Sequence, residues 1–263
     1  MNILFIGDIV AKSGRQVVAR MIQELQEEYE IEFIIANGEN ATHGKGISRA
    51  NYDELIDCGI DCITLGNHYG ARKEIFNFID DCDNLLRPYN LHYSIPGLGT
   101  TVLETFSGKK IRVTNLLGRA FINLNANNPF EALKEIIQED QADIHIVDFH
   151  AEATGEKLAL AYAFDGKIGA LLGTHTHVQT RDYRLLPNGT AYISDVGMCG
   201  PYNGILGTGK EEVITRTWTG LSSTFTIEND DDQSLFNAVI LSFDNNNRCI
   251  AIKPIYKILT IEV

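Results

Sequence analysis

Gly173-Thr174-His175-Thr176-His177 follows the apolar run Ile168-Gly169-Ala170-Leu171-Leu172, which places two imidazoles at the end of a short, buried-looking strand. Two residues apart in an extended segment, His175 and His177 are expected to point the same way, because the side-chain period of a strand is two. The pattern recurs towards the N-terminus. Asp8 ends Ile3-Leu4-Phe5-Ile6-Gly7, and Glu39 and Asn40 follow Phe33-Ile34-Ile35-Ala36-Asn37-Gly38. Asn67 and His68 follow Cys62-Ile63-Thr64-Leu65-Gly66, and His150 follows Ile144-His145-Ile146-Val147-Asp148-Phe149. Taken singly, an Asp or Asn after a strand is a turn former or a helix cap, and most histidines are not ligands. Repetition at five strand ends is harder to dismiss, since the same ends of adjacent strands converge on one crevice. Asp8, Glu39, Asn40, Asn67, His150, His175 and His177 are the candidate metal ligands. Seven such groups exceed what one ion can use and predict two.

Around these strand ends the chain alternates between strand and helix. Ser13 is a plausible N-cap for a helix over Gln16–Tyr29, with Val17, Val18, Met21, Ile22 and Leu25 at helical spacing. Ser48 to Cys58 reads as a second helix closed by Gly59, and Lys73 to Asp80 as a short third. Asn128-Pro129 opens a fourth, with Phe130, Leu133, Ile136 and Ile137 on one face, and Glu156 to Phe164 forms a fifth. Up to about residue 175 this is the βαβ pattern of an α/β protein. Beyond it come strands at short intervals: Thr190–Ser194, Glu212–Thr217, Ser223–Glu228, Leu235–Ser242 and Ala251–Leu259. Pro187-Asn188-Gly189 and Asp244-Asn245-Asn246-Asn247 are turns between them. These late strands predict a second, largely antiparallel sheet packed on the first. Between Leu85 and Asn127 strand signals (Thr101–Phe106, Ile111–Leu117) mix with loop residues and suggest a small cap. Asn229-Asp230-Asp231-Asp232 reads as an acidic loop.

The series Gly7-Asp8, Gly38-Glu39-Asn40, Gly66-Asn67-His68, His150 and Gly173-Thr174-His175-Thr176-His177 resembles the calcineurin-like metallophosphoesterases. It is most similar to their YmdB branch of bacterial phosphodiesterases, which Asn37-Gly38-Glu39-Asn40-Ala41, Val147 to Thr154 and Thr190 to Met198 also resemble. The resemblance spans nearly the whole chain. It implies a single domain over residues 1–263, built as a four-layer-type sandwich of two mixed β-sheets flanked by helices. It also implies hydrolysis of small phosphodiesters, with 2′,3′-cyclic nucleoside monophosphates the first choice of substrate, by a hydroxide bridging two metals. His68 is then the general acid that protonates the leaving alkoxide. Two departures from the wider superfamily stand out. Val10 occupies the second position of the usual Asp-x-His, so Asn40 is expected to supply the missing ligand through its amide oxygen. Glu39 replaces the usual bridging Asp, and each of its oxygens can bind a different ion. Asp8, Asn40 and His177 are accordingly grouped with the first ion, and Asn67, His150 and His175 with the second, Glu39 serving both. Tyr69-Gly70-Ala71-Arg72 after His68 departs from the branch, where an aromatic followed by an acid is expected. A mixed N/O donor set without thiolate suits Fe, Mn or Zn better than Ca or Mg.

Composition narrows the partners. The 263 residues carry a formal net charge of −13, against the basic face that a backbone-tracking nucleic-acid binder needs. Two divalent cations would invert the field locally and keep a small phosphodiester or cyclic nucleotide open as substrate. The composition, 44% hydrophobic and 22% charged, is that of an ordinary globular protein. No apolar run reaches the ~18 residues of a membrane span. The N-terminus lacks signal-peptide character, and Cys58, Cys62, Cys82, Cys199 and Cys249 form no zinc or disulfide framework. A cytoplasmic location is expected, and a homo-oligomer is compatible with the sequence. Asp148 and Glu152 are candidates to hydrogen-bond a ligand histidine. Ser13-Gly14-Arg15 and the Asp195–Pro201 stretch read as structural turns, and Arg87 and His43 take no role. The competing readings are a regulatory or RNA-interacting protein with marginal turnover, or a phosphomonoesterase on the same site.

Overall fold

In β1 (Asn2–Ile6) every side chain from Ile3 onward is buried, so the strand must be covered on both faces. Ile3 and Phe5 enter one apolar cluster, Leu4 and Ile6 another. The computed structural model describes residues 1–224, 226–228 and 233–260. After β1 come β2 (Asp8–Ile9), α1 (Ala11–Tyr29), β3 (Ile31–Asn37), α2 (Arg49–Asp57), β4 (Cys62–Thr64) and β5 (Leu85–Leu86). Then follow β6 (Thr100–Glu104), β7 (Lys110–Leu117), α3 (Pro129–Gln138), β8 (Ile144–His150), α4 (Thr154–Ala163) and β9 (Ala170–Thr174). The chain continues through β10 (Arg184–Leu185), β11 (Ala191–Ile193), β12 (Met198–Pro201), α5 (Lys210–Thr219), β13 (Gln233–Phe243) and β14 (Cys249–Thr260).

Two mixed sheets result. The first runs β2-β12-β13-β1-β3-β4-β5, with β14 on β13; the second runs β10-β11-β9-β8-β7-β6. β1, β3, β4 and β5 are parallel, while β13 lies antiparallel between β1 and β14. In the second sheet β7, β8, β9 and β11 are parallel and the edges β6 and β10 antiparallel. Ile3, Phe5, Phe33 and Ile35 of the first sheet meet Val113, Ile146, Leu172 and Ile193 of the second in the central core. On the outer face of the first sheet, Leu4, Ile6, Ile34 and Ile63 pack under Val17, Met21 and Leu25 of α1 and Leu55 of α2. On the outer face of the second, Leu116, Val147, Phe149 and Leu171 pack under Leu133 of α3 and Leu160 of α4. Each such side chain, fully buried, contributes roughly 1.5–3 kcal/mol. This is the four-layer sandwich that the sequence implies.

Helix ends follow local chemistry. The Ser48 side chain accepts from the Asn51 N–H, and the Asn128 side chain from the Phe130 N–H with Pro129 at the first helical position. α1 differs from expectation: it starts at Ala11 behind Val10, without a side-chain cap, because its first turn hangs from backbone bonds such as Ala11 N–H to Asn40 O. Lys73–Asp80 forms two 3₁₀ turns and no α-helix.

The C-terminal third corrects the sequence reading most. The predicted strand Glu212–Thr217 is inside α5. Its β-branched residues favour a strand, but Glu211 and Glu212 in the first turn, Arg216 in the last and left-handed Gly220 at the C-cap specify a helix. Ser223–Glu228 forms no described strand, only an isolated bridge from Ile227 to Thr208. Asp195–Pro201, read as a turn, contains β12. The late strands do not build the second sheet: β12, β13 and β14 complete the first, and only β10 and β11 join the second. Leu85–Asn127 gives β5 to the first sheet and β6 and β7 to the second. The acidic loop at Asn229–Asp232 lies outside the described residues.

Candidate metal centre

The candidate ligands gather where parallel strands of both sheets end. Asp8 follows β1, Glu39 and Asn40 follow β3, and Asn67 and His68 follow β4, all in the first sheet. His150 closes β8, and His175 and His177 follow β9, in the second. The cluster therefore straddles the open rim of the sandwich. Close packing there demands glycine at position 66, where a Cβ would collide with Glu39 Oε2 and the His150 ring.

Three ligand atoms crowd His150 Nε2: Asn67 Oδ1 at 2.9 Å, His175 Nδ1 at 3.0 Å and Glu39 Oε1 at 3.1 Å. One ring nitrogen has one lone pair or one N–H and serves one partner well. Donor atoms about 3–3.5 Å apart are instead what a single cation with bonds of about 2.0–2.2 Å gathers round itself. Beside this group stand Asp8, Asn40 and His177. Asn40 Nδ2 lies 3.1 Å from His177 Nε2 and 3.4 Å from Glu39 Oε1. Asp8 Oδ2 accepts the His175 N–H at 3.2 Å, whereas its buried Oδ1 has no hydrogen-bond partner among the described residues. A buried carboxylate oxygen left unsatisfied is costly unless a cation takes it. Orphan oxygen, crowded nitrogen and all-N/O donors fit a metal centre, with Glu39 between its two halves. Asn40 presents nitrogen to His177 and oxygen to His68, so ligation through Oδ1 requires a half-turn of the amide.

The charges point the same way. Burial drives the Asp8 carboxyl well above the usual range, and Asp195, Glu39 and Asp148 add to this against the pull of His150. Burial would also raise Glu39, but His150 and then His68 hold it well below its ordinary value. Burial opposes protonation of His150, yet Glu39, Asp8 and Asp148 lift it to about 9. His175 is pushed down to about 4 by burial and by His150. An acidic nest that forces a proton onto its central imidazole is one that bound cations relieve.

His68 sits at the edge of the cluster, its side chain 32% exposed. Its backbone N–H donates to Glu39 Oε2 at 2.9 Å, and Nδ1 lies 2.9 Å from Asn40 Oδ1 and 3.3 Å from Glu39 Oε1. It faces a cleft of about 600 Å³ shared with Lys45, His175, His177, Leu206 and Thr208. Asp148 and Glu152, the expected orienting carboxylates, both engage candidate-ligand histidines, Glu152 directly and Asp148 through Thr174. Glu152 meets His175 Nε2 at 3.0 Å. Asp148 acts through Thr174, whose Oγ1 donates to Asp148 Oδ1 at 2.7 Å and lies 2.9 Å from His150 Nδ1. Arg72, in the departing Tyr69–Arg72 segment, donates to Thr42 O and braces the turn after Asn40. Arg87 is buried on carbonyls of Pro88 and Ile95, remote in role from the cleft.

Comparison with known proteins bears on the same residues. A family model described as YmdB-like protein matches residues 4–255. The chain belongs to the YmdB-like family. A relative from Bacillus subtilis (strain 168), named 2′,3′-cyclic-nucleotide 2′-phosphodiesterase, is 46% identical over 250 residues, covering 94% of this chain and 93% of its own. A crystal structure described as a novel phosphatase from Mycoplasma pneumoniae superposes with a TM-score of 0.92 at 38% identity, over 98% of this chain and 93% of that one. A 5′-nucleotidase precursor from Thermus thermophilus, 11% identical, shares the fold alone, with a TM-score of 0.53 over 99% of this chain and 54% of its own.

In this YmdB-like chain one expectation about geometry fails. His175 and His177 are not an extended pair: β9 stops at Thr174, and both residues have left-handed backbones, φ 107° and 65°. Their rings part, His175 towards His150 and His177 towards Asn40. Sequence reasoning also passed over Thr174, whose signal was only its place inside the Gly-Thr-His-Thr-His stretch, and Lys157, which carried none.

Proposed function

We propose that the chain is a dimetal phosphodiesterase for small phosphodiesters, its substrates 2′,3′-cyclic nucleoside monophosphates. The observation that carries this reading is the set of donors around His150 Nε2 beside the orphaned Asp8 oxygen, with the Glu39 carboxylate between them. Asp8, Asn40 and His177 would hold one transition-metal ion and Asn67, His150 and His175 the other, with Glu39 serving both; Fe or Mn is the first choice, Zn the next. Bound ions supply Lewis acidity that activates water and neutralises charge on the phosphoryl oxygens. The chain's own groups do the rest. Thr174 and Glu152 fix the rings of His150 and His175. Glu39 stands on the Nδ1 side of His68, which leaves Nε2 as the nitrogen that gives a proton to the departing alkoxide. The cleft of about 600 Å³ matches a mononucleotide in scale. The net charge of −13 disfavours long nucleic acid, and no helix among the described residues is long and apolar enough to cross a membrane. The name of the Bacillus subtilis relative supports the substrate class.

The test is a hydrolysis screen with the metal-reconstituted chain. 2′,3′-Cyclic nucleotides should be turned over faster than 3′,5′-cyclic nucleotides, dinucleotides and phosphomonoesters, and chelation should abolish activity. Preference for monoesters would replace this reading by a phosphatase, and undiminished turnover in chelator would end it.

A further inference from the structure

Lys157 lies in α4 and is 1% exposed, a burial that an ammonium tolerates only with partners. Its Nζ donates to Thr174 O at 2.9 Å and to Asp195 Oδ2 at 3.0 Å. Asp195 Oδ2 also accepts the Thr176 N–H at 2.8 Å, and Oδ1 accepts the Gly197 N–H at 2.9 Å. The ion pair thus holds the backbone on both sides of His175, and His177 is the next residue along. Asp195 reaches this position because β11 runs beside β9, a pairing extended by Val196 N–H to Gly173 O at 2.8 Å.

The held segment is strained. Left-handed backbones at residues other than glycine are costly and persist where the surroundings over-determine them. Stability alone explains the pair poorly, since a buried ion pair replaced by well-packed apolar side chains is often neutral or stabilising. Its location explains more. Thr174 gives its carbonyl to Lys157 and its hydroxyl to Asp148 and His150, so one grip reaches all three histidines of the cluster.

We propose that Lys157 and Asp195 are positioning residues: they hold the Thr174–His177 segment, with its left-handed His175 and His177, and thereby set the spacing of the two metal positions. This rests on the dimetal reading above. Neither residue is needed to touch metal or substrate.

The test compares Lys157→Met, which fills the same volume without charge, and Asp195→Asn with the wild-type full chain. Three readouts are taken together: affinity for Mn²⁺ at each site, the visible spectrum of the Co²⁺-loaded protein, and the thermal midpoint. Lys157→Met leaves Asp195 buried without its counter-ion and should lower the thermal midpoint; well below that midpoint it should bind the weaker ion roughly 10–100-fold less tightly and show an altered Co²⁺ spectrum. Its kcat should fall with little change in KM. Asp195→Asn, which retains one acceptor oxygen, should fall between the two. Wild-type affinity and spectrum in both variants, measured well below their midpoints, would overturn the proposal. If Lys157→Met does not fold, Asp195→Asn decides by the same criteria. Wild type serves as the control on the reading beneath: failure of wild type itself to load two ions would remove the dimetal centre and this proposal with it.

Discussion

His68 and His150 sit 82 positions apart in the chain and share Glu39 Oε1 as a neighbour, at 3.3 and 3.1 Å, yet they should fail differently when removed. His150 is wholly buried among donors, and His68 stands on the cleft. His68→Ala should keep both ions and lose hydrolysis of alkoxide-leaving diesters by roughly 10²–10⁴-fold. The deficit should shrink for nitrophenyl diesters, whose leaving oxygen needs no proton. His150→Ala should lose metal and all activity together. An equal deficit of His68→Ala for every leaving group, or its loss of metal, would assign it to ligation. His150 also makes a prediction about protons. Its imidazole, raised to about 9 despite burial because Glu39, Asp8 and Asp148 surround it, is protonated in the metal-free chain at neutral pH. Metal must displace that proton, so loading at pH 7 should release at least one proton, the raised Asp8 carboxyl adding to the count, and affinity should rise with pH until about 9. Calorimetry in buffers of different ionisation enthalpy counts the protons, and a count of zero would contradict the assignment. All these residues were legible in sequence, because each follows an apolar strand. The left-handed turn at His175 and His177 was not, since nothing in Thr174-His175-Thr176-His177 announces it; the Thr176 N–H within it is held by Asp195, which follows the neighbouring strand β11.

At the scale of elements, Asp140 ties the exit of α3 to the second sheet. Its carboxylate meets Arg112 Nε of β7 at 2.8 Å and His145 Nδ1 of β8 at 2.9 Å, and His145 Nε2 lies 2.8 Å from Thr114 Oγ1. Burial would raise its pKa, but His145 and Arg112 carry it well below the ordinary carboxylate range. His145 itself is lowered by burial in spite of Asp140, so Arg112 supplies the balancing charge at neutral pH. Asp140→Asn should therefore destabilise the metal-free chain by roughly 1.5–3 kcal/mol at pH 7, the worth of hydrogen bonds to a charged group. With a depressed folded value, this contribution is present above the unfolded value near 3.9 and is lost as pH falls below it. Urea unfolding at pH 7 and pH 3 should show the gap narrowing in acid; a gap constant between them would refute the ionic account. Among the helices up to α4, α2 and α3 were readable from period and caps, as Ser48 and Asn128-Pro129 illustrate, whereas Lys73–Asp80 was misread and α1 begins earlier than its expected cap. α5 was misread because Val213, Ile214, Thr215 and Thr217 favour a strand by composition, while its ends and capping glycine specify a helix. The insertion of β13 between β1 and β14 depends on contacts more than 200 residues apart, such as Ile3 with Leu241, which no local pattern encodes.

For the whole molecule, the two sheets matter because neither carries the candidate ligands alone. The first supplies Asp8, Glu39, Asn40 and Asn67, the second His150, His175 and His177, and the central core of Phe5, Ile35, Ile146 and Leu172 fixes one set against the other. A fold that assembles an acidic nest across its own sandwich, in a chain of net charge −13, makes sense around cations. Anomalous scattering from crystals of the Mn²⁺-loaded chain tests this most directly. Two peaks about 3.5–4 Å apart, one on either side of the Glu39 carboxylate, are predicted. A single peak, or two that Glu39 does not join, would contradict the dimetal centre.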